Sequence, residues 1–241
     1  MGLFITFLAG ISILVGALFI RISKNTERIE HFSIAMALAA LGALMLFDLL
    51  PEVRESAAGT GWIVSLLFVV GGAVLLKLLD KLVPDHDDNE ANHDSENAVH
   101  IGVISAIAVI LHNVLEGMTV YSLSMASPRQ GLIFAIGIAL HNLPMGMLIE
   151  STLKNQKKSE HTLILGSVTL STMLGGVIMS LISGYVDEKV VGLLVCVATG
   201  MIVYIVFLEL LPHVLRTKEH LINLIGAAMG FLLVYASSLI A

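Results

Sequence analysis

Leu111-His-Asn-Val-Leu-Glu-Gly-Met118 and Leu140-His-Asn-Leu-Pro-Met-Gly-Met147 are two copies of one octet, each set inside a long apolar stretch. A polar or ionisable side chain at membrane depth costs about 2.5 to 3.5 kcal/mol on insertion scales, so imidazole, amide and carboxylate placed there need a partner. A metal cation is the partner that suits all three together.

The rest of the chain says that the surroundings are lipid. Of 241 residues, 56% are hydrophobic and 13% charged, and the mean hydropathy is +0.92. So little polar surface cannot coat a soluble globule, which makes this an all-α integral membrane protein. With roughly 20 apolar residues needed per crossing, eight helices are predicted, about 2–20, 33–51, 62–80, 99–125, 130–152, 162–184, 189–211 and 221–240, in a single transmembrane domain over residues 1–241. No cationic stretch precedes residues 2–20 and no small-residue cleavage site closes them, so they read as the first helix and not as a signal peptide. The lone Cys196 excludes an internal disulfide and any multi-cysteine metal or iron–sulfur site.

Basic residues orient the bundle. Arg21, Lys24, Arg28, Lys77, Lys81, Lys154, Lys157, Lys158, Arg216 and Lys218 flank the connections on one side, against Arg54, Arg129 and Lys189 on the other. The side richer in lysine and arginine is the cytoplasmic one. The connections after helices one, three, five and seven are therefore expected inside, and both termini outside, in a multi-pass protein of the cell membrane.

Helices four and five are joined at Ser127-Pro128, which makes them antiparallel neighbours. His112 and His141 are equally far from that turn, each about 20 Å along its helix at ~1.5 Å per residue, near the bilayer midplane. The two imidazoles can then face one another. Glu116 lies one turn outward from His112 on the same helix face. Asn113 and Asn142, turned about 100° from the histidines, line an adjacent part of the same cavity. The plainer alternative is that His and Asn only hydrogen-bond helix to helix, which requires neither a buried Glu nor two copies of His-Asn at one depth.

A second repetition marks a path. Asp48-Leu-Leu-Pro-Glu52 closes helix two and Glu209-Leu-Leu-Pro-His213 closes helix seven, each with its polar pair at i and i+4. Helix two runs outward and helix seven inward, as inverted repeats of helices 1–3 and 6–8 around helices 4–5 would place them. Asp48 and Glu52 read as a cation-attracting outer vestibule, Glu209 and His213 as an inner exit; ordinary interfacial residues are the alternative for Glu52 and His213. The acidic stretch Pro84–Asn97 is poor in apolar residues, so the cytoplasmic loop 84–98 is expected to be disordered. Its His86 and His93 offer transient metal contacts within what is otherwise a solvated linker.

The His-Asn-x-x-Glu-Gly and His-Asn-x-Pro-x-Gly patterns on the fourth and fifth of eight helices resemble the ZIP (Zrt-, Irt-like) divalent-metal transporters, especially bacterial zinc-uptake members. The similarity extends to the topology, the outside termini and the long loop after helix three. It implies a mid-membrane metal site with His112, Asn113, Glu116, His141 and Asn142 as candidate ligands, import into the cytoplasm, and alternating access by an elevator-like shift of one helix group against another. Two family carboxylates are missing: Met145 replaces the Glu of Pro-Glu-Gly, and Thr172, in Ser-Thr-Met-Leu-Gly175, stands where helix six usually has Glu. Two dications beside a single carboxylate would repel strongly at low dielectric. One ion is therefore expected, held by His112, Glu116, His141 and water, with Asn113 and Asn142 as weak or outer ligands. Met145 reads as space-filling, with a role for a softer ion as the alternative.

Transport of a divalent cation is the reading that accounts for all these features, zinc first, with iron, manganese, cobalt and cadmium as further candidates. The runner-up is a membrane protein that binds metal without moving it, a sensor or degenerate transporter lacking two glutamates. An enzyme is not expected: His112 to Glu116 is not a His-Glu-x-x-His pattern, and no Gly-x-Ser-x-Gly appears. Haem between His112 and His141 fits poorly with Asn and Glu beside each histidine. The cation is thus a substrate and no catalytic cofactor is expected. The partners are that cation and the lipid bilayer, with a homodimer as a compatible assembly and no nucleic acid.

Overall fold

A chain crossing lipid must satisfy its backbone N–H and C=O groups within itself, and the apolar segments of this sequence do so as helices. The computed structural model describes residues 1–23, 26–81, 93–153, 156–183 and 187–239. Among them are eight helices long and apolar enough to span a membrane, and no strand. Helix α1 is Gly2–Arg21, α3 Trp62–Asp80, α4 His93–Ala126, α5 Pro128–Leu153, α6 Lys158–Ile182 and α8 His220–Ser238. Helix α2 runs without a break through Thr26–Leu44, Met45–Leu49 and Leu50–Thr60, and α7 through Glu188–Tyr204, Ile205–Leu210 and Leu211–Arg216. The ends follow from local chemistry. Gly61 turns the corner from α2 to α3 at φ 95°, a region open to glycine. Pro128 opens α5, where a proline costs no helical hydrogen bond. The Asp187 carboxylate accepts from the Lys189 N–H and caps α7.

Three expectations about helix ends are corrected. The Leu-Leu-Pro motifs do not close helices two and seven, which continue to Thr60 and Arg216. The residues just before each proline form a wider turn: the N–H of Leu50 donates to the carbonyl of Met45, and that of Leu211 to Val206, five residues back in both cases. Such a π turn absorbs the donor that a proline removes, so the helix passes through. The third correction concerns the loop expected over 84–98, whose last six residues belong to α4. His86 lies outside the described residues, and His93 is the first residue of α4.

The helices sort into two groups. The most extensive packing joins α1 to α5 and α4 to α6 in one group, and α2 to α8 and α3 to α7 in the other. Glycines set these pairs at close range, meeting a neighbour's carbonyl from both sides in three of them, Gly16 on Leu143 and Gly146 on Ile13, Gly117 on Thr172 and Gly175 on Val114, Gly72 on Val197 and Gly200 on Val69, and from the α8 side alone in the fourth, Gly226 on Phe32 and Gly230 on Met36. All four pairs are internal to a group. Without a hydrophobic driving force in lipid, such close backbone packing supplies much of helix association. Polar contacts between the groups include Ser237 Oγ of α8 donating to the Gly137 carbonyl of α5 at 2.8 Å, and His100 Nε2 of α4 at 2.6 Å from Asp80 Oδ1 of α3. Helices α4 and α5 are the most enclosed spans and α3 the least.

Candidate metal centre and its approach

The single residue between α4 and α5, Ser127, folds them back on each other and brings the two octets to one level. The rings of His112 and His141 have their centroids 6.3 Å apart. Glu116 joins them: its Oε1 is 3.0 Å from His112 Nε2 and 2.7 Å from His141 Nε2, and the three side chains are 8%, 10% and 7% exposed in the order His112, Glu116, His141. One ligand atom from each lies within 4.8 Å of the others. Two imidazole nitrogens and a carboxylate oxygen converging this closely fit a borderline-soft dication such as zinc, with further positions open to water.

The trio forms the floor of a cavity of about 350 Å³ that runs toward the Thr60 end of α2. Asp48 and Glu52, both expected in a vestibule, line it together with His112, Glu116 and His141. Glu55 lines it too and was missed by the sequence reading. Residues 48, 52 and 55 share a helix face at i, i+4 and i+7 only if the helix continues past Pro51, so ending it there concealed Glu55. Three carboxylates along low-dielectric walls raise the local cation concentration.

Asn113 and Asn142 do not line this cavity. They are buried, and with Leu41, Leu44, Val109 and Met145 on the far side of the histidines they surround a void of about 10 Å³. Neither amide finds a hydrogen-bonding partner among the described residues. A void of that size holds at most one water.

Glu209 and His213 are not near that cavity either. The Glu209 carboxylate gathers with Asp80 and His100, its ligand atom within 4.8 Å of theirs. His213 faces His31 of α2, ring centroids 6.2 Å apart. Neither Asp80 nor His100 was singled out from the sequence, because they lie on different helices, 20 residues apart along the chain. At the same end, Glu150 accepts from Arg21 Nε at 2.8 Å and Arg21 Nη2 at 3.1 Å, and its Oε2 is 2.9 Å from His161 Nε2, tying α1, α5 and α6 together.

A family model described as ZIP Zinc transporter matches residues 83–238. The chain belongs to the ZIP family. Similar proteins include zinc transporters named ZupT: 30% identical in Chlorobium phaeovibrioides, over 99% of this chain and 97% of that protein, and 28% in Streptococcus mutans, over 98% and 96%. A third, in Chlorobium chlorochromatii, is 27% identical over 98% of this chain and 96% of its own length. This ZIP chain is accordingly a multi-pass membrane protein of metal-ion transport. The positions of its two missing carboxylates can now be located. Met145 is 3% exposed at the small void. Thr172 is fully buried, with its carbonyl against Gly117.

Proposed function

We propose that this ZIP protein imports divalent cations, zinc first, with iron, manganese, cobalt and cadmium as further substrates, from outside the cell membrane into the cytoplasm by alternating access. The orientation follows the basic residues, with Arg21 and Asp80 at the inner end, Thr60 at the outer end and both termini outside. Residues 1–241 act as one transmembrane unit. The observation that carries the reading is that His112, Glu116 and His141, all in one helix group, meet at the floor of an acid-lined cavity whose walls include the other group. An ion drawn in by Glu55, Glu52 and Asp48 exchanges its water shell for the trio. A single ion is held, because Glu116 is the one carboxylate there and a second dication would be uncompensated. Asn113 and Asn142 serve the ion from outside its inner set of ligands.

Release requires the α1, α4, α5 and α6 group to shift against the other, so that the ligands carry the ion past Leu41, Leu44 and Val109 toward Glu209 and His213. Helices packed closely at glycines inside each group suit that motion. The matching of α2 with α7 supports an inverted-repeat reading of helices 1–3 and 6–8: each has a carboxylate, Asp48 or Glu209, inside a wide turn that precedes a proline. The loss of glutamate at Met145 and Thr172 favours one other reading, a protein that binds the ion without moving it. Zinc accumulation in proteoliposomes separates the two. Saturable uptake that His112→Ala or Glu116→Ala abolishes supports transport, whereas bound zinc with no flux supports the other.

A further inference from the structure

Helix α6 packs chiefly against α4 and α1, and along its outward side lies an open groove of about 730 Å³, lined among the described residues by α6 alone. The groove runs from Lys158 to Leu170, with Leu163 exposed in its wall and Gly166 in its floor, where a side chain would meet nothing within 4 Å. Twelve residues at ~1.5 Å each make it about 18 Å long. Half of a ~30 Å hydrocarbon core is about 15 Å, so the groove reaches from the headgroup level of one leaflet to the midplane.

Its polar groups gather toward one end. Lys157 Nζ is 3.8 Å from Glu160 Oε1, whereas the exposed Lys158 has no carboxylate partner among the described residues. Deeper in the same helix, Thr169 and Ser171 return their hydroxyls to the carbonyls of Leu165 and Val168, the usual satisfaction of such a group in a membrane helix. Ser159, Thr162 and Ser167, which line the groove, make no such bond among the described residues.

We propose that this groove seats one anionic phospholipid, its phosphate beside Lys158, Ser159 and Thr162 and one acyl chain laid over Gly166 against Leu163 and Leu170. Any lipid covers an exposed leucine. An unpaired ammonium above a trough one leaflet long calls for more: a headgroup that carries negative charge and accepts hydrogen bonds, on a single chain. A lysine at that level keeps its stem on the apolar surface and its ammonium among the phosphates. A helix of a second copy would cover the leucines and leave Lys158 without a counter-ion. The leaflet is the inner one by the orientation proposed above, which puts the start of α6 on the cytoplasmic side, where the surface potential is negative.

Native mass spectrometry of the purified full chain in detergent tests the site, because it counts bound lipids and reads the oligomeric state together, and no result depends on uptake or orientation. The probes are phosphatidylglycerol and phosphatidylcholine with the same acyl chains. The first phosphatidylglycerol is expected to bind about fivefold tighter or more than phosphatidylcholine. Lys158→Gln is expected to bring that ratio near one, and Gly166→Leu to weaken both lipids by filling the trough. Lys218→Gln, which alters an exposed lysine between α7 and α8, is expected to leave the ratio unchanged. Equal affinity for the two lipids, a preference that Lys158→Gln leaves intact or that Lys218→Gln abolishes as well, or unchanged affinity in Gly166→Leu overturns the proposal. So does a tail-free glycerophosphoglycerol that competes as well as the whole lipid, which would mean a site for a free anion. A dimer that Gly166→Leu splits overturns it too, making this face a contact between two copies.

Discussion

Nε2 of His141 stands 2.7 Å from Oε1 of Glu116 across the interface of two adjacent helices, and the same oxygen is 3.0 Å from Nε2 of His112. One carboxylate oxygen thus sits between two imidazoles, which makes Glu116 the residue whose loss removes charge and geometry together. Glu116→Ala is expected to lower zinc uptake in proteoliposomes to background, a loss of about 100-fold or more, with Glu116→Asp retaining part of it. Uptake within twofold of the unsubstituted protein would exclude Glu116 from the site.

Met145 is buried beside the orphaned amides of Asn113 and Asn142. Met145→Glu puts there the carboxylate that the chain lacks, and an unpaired charge at that depth needs a cation. In a His100→Ala background, which removes the inner cluster, this substitution is expected to raise bound zinc from one ion to two per chain and to make thermal stability depend on zinc. A single ion and a zinc-independent melting point would mean that Met145 does not border the ion.

The glycine pairs within each group separate close approach from mere helix propensity. A side chain at Gly117 meets the Thr172 carbonyl and one at Gly175 the Val114 carbonyl, whereas Gly42 and Gly166 have open space around the same position. Gly117→Ala and Gly175→Ala should each destabilise by about 1 to 3 kcal/mol through overpacking. Gly42→Ala and Gly166→Ala should be neutral or stabilising by up to about 1 kcal/mol, since alanine is the better helix former. Denaturation in detergent reads all four.

Motion between the groups is tested by tying them together. Ser237 of α8 and Gly137 of α5 touch across the boundary, so Ser237→Cys with Gly137→Cys, in a Cys196→Ser background, should lose transport on oxidation and regain it on reduction. Within one group, Cys196 Sγ is already 3.7 Å from Ser56 Oγ. Oxidising Ser56→Cys against the native Cys196 should leave uptake intact.

The eight spans and the meeting of the two octets were legible because each rests on local pattern: apolar length for the spans, and equal distance from one turn for His112 and His141. Glu116 followed from i,i+4 spacing alone. Pro51 and Pro212 misled, since proline reads as a stop and its accommodation by a wide turn depends on a backbone bond from Leu50 or Leu211 that leaves no mark in composition. The same error hid Glu55. The Asp80, His100 and Glu209 cluster was illegible for a different reason: its members come from three helices, and only the packing of α3 against α7, set by Gly72 and Gly200, together with the placement of α4, brings them together.

The central claim, one ion held by two imidazoles and one carboxylate at mid-membrane, is tested most directly by zinc X-ray absorption on the purified His100→Ala protein. The account predicts one zinc per chain with two imidazole nitrogens and oxygen ligands at about 2.0 to 2.2 Å, a signal lost in His112→Ala. A metal–metal vector near 3.5 to 4 Å, or an imidazole signal unchanged by that substitution, would contradict it.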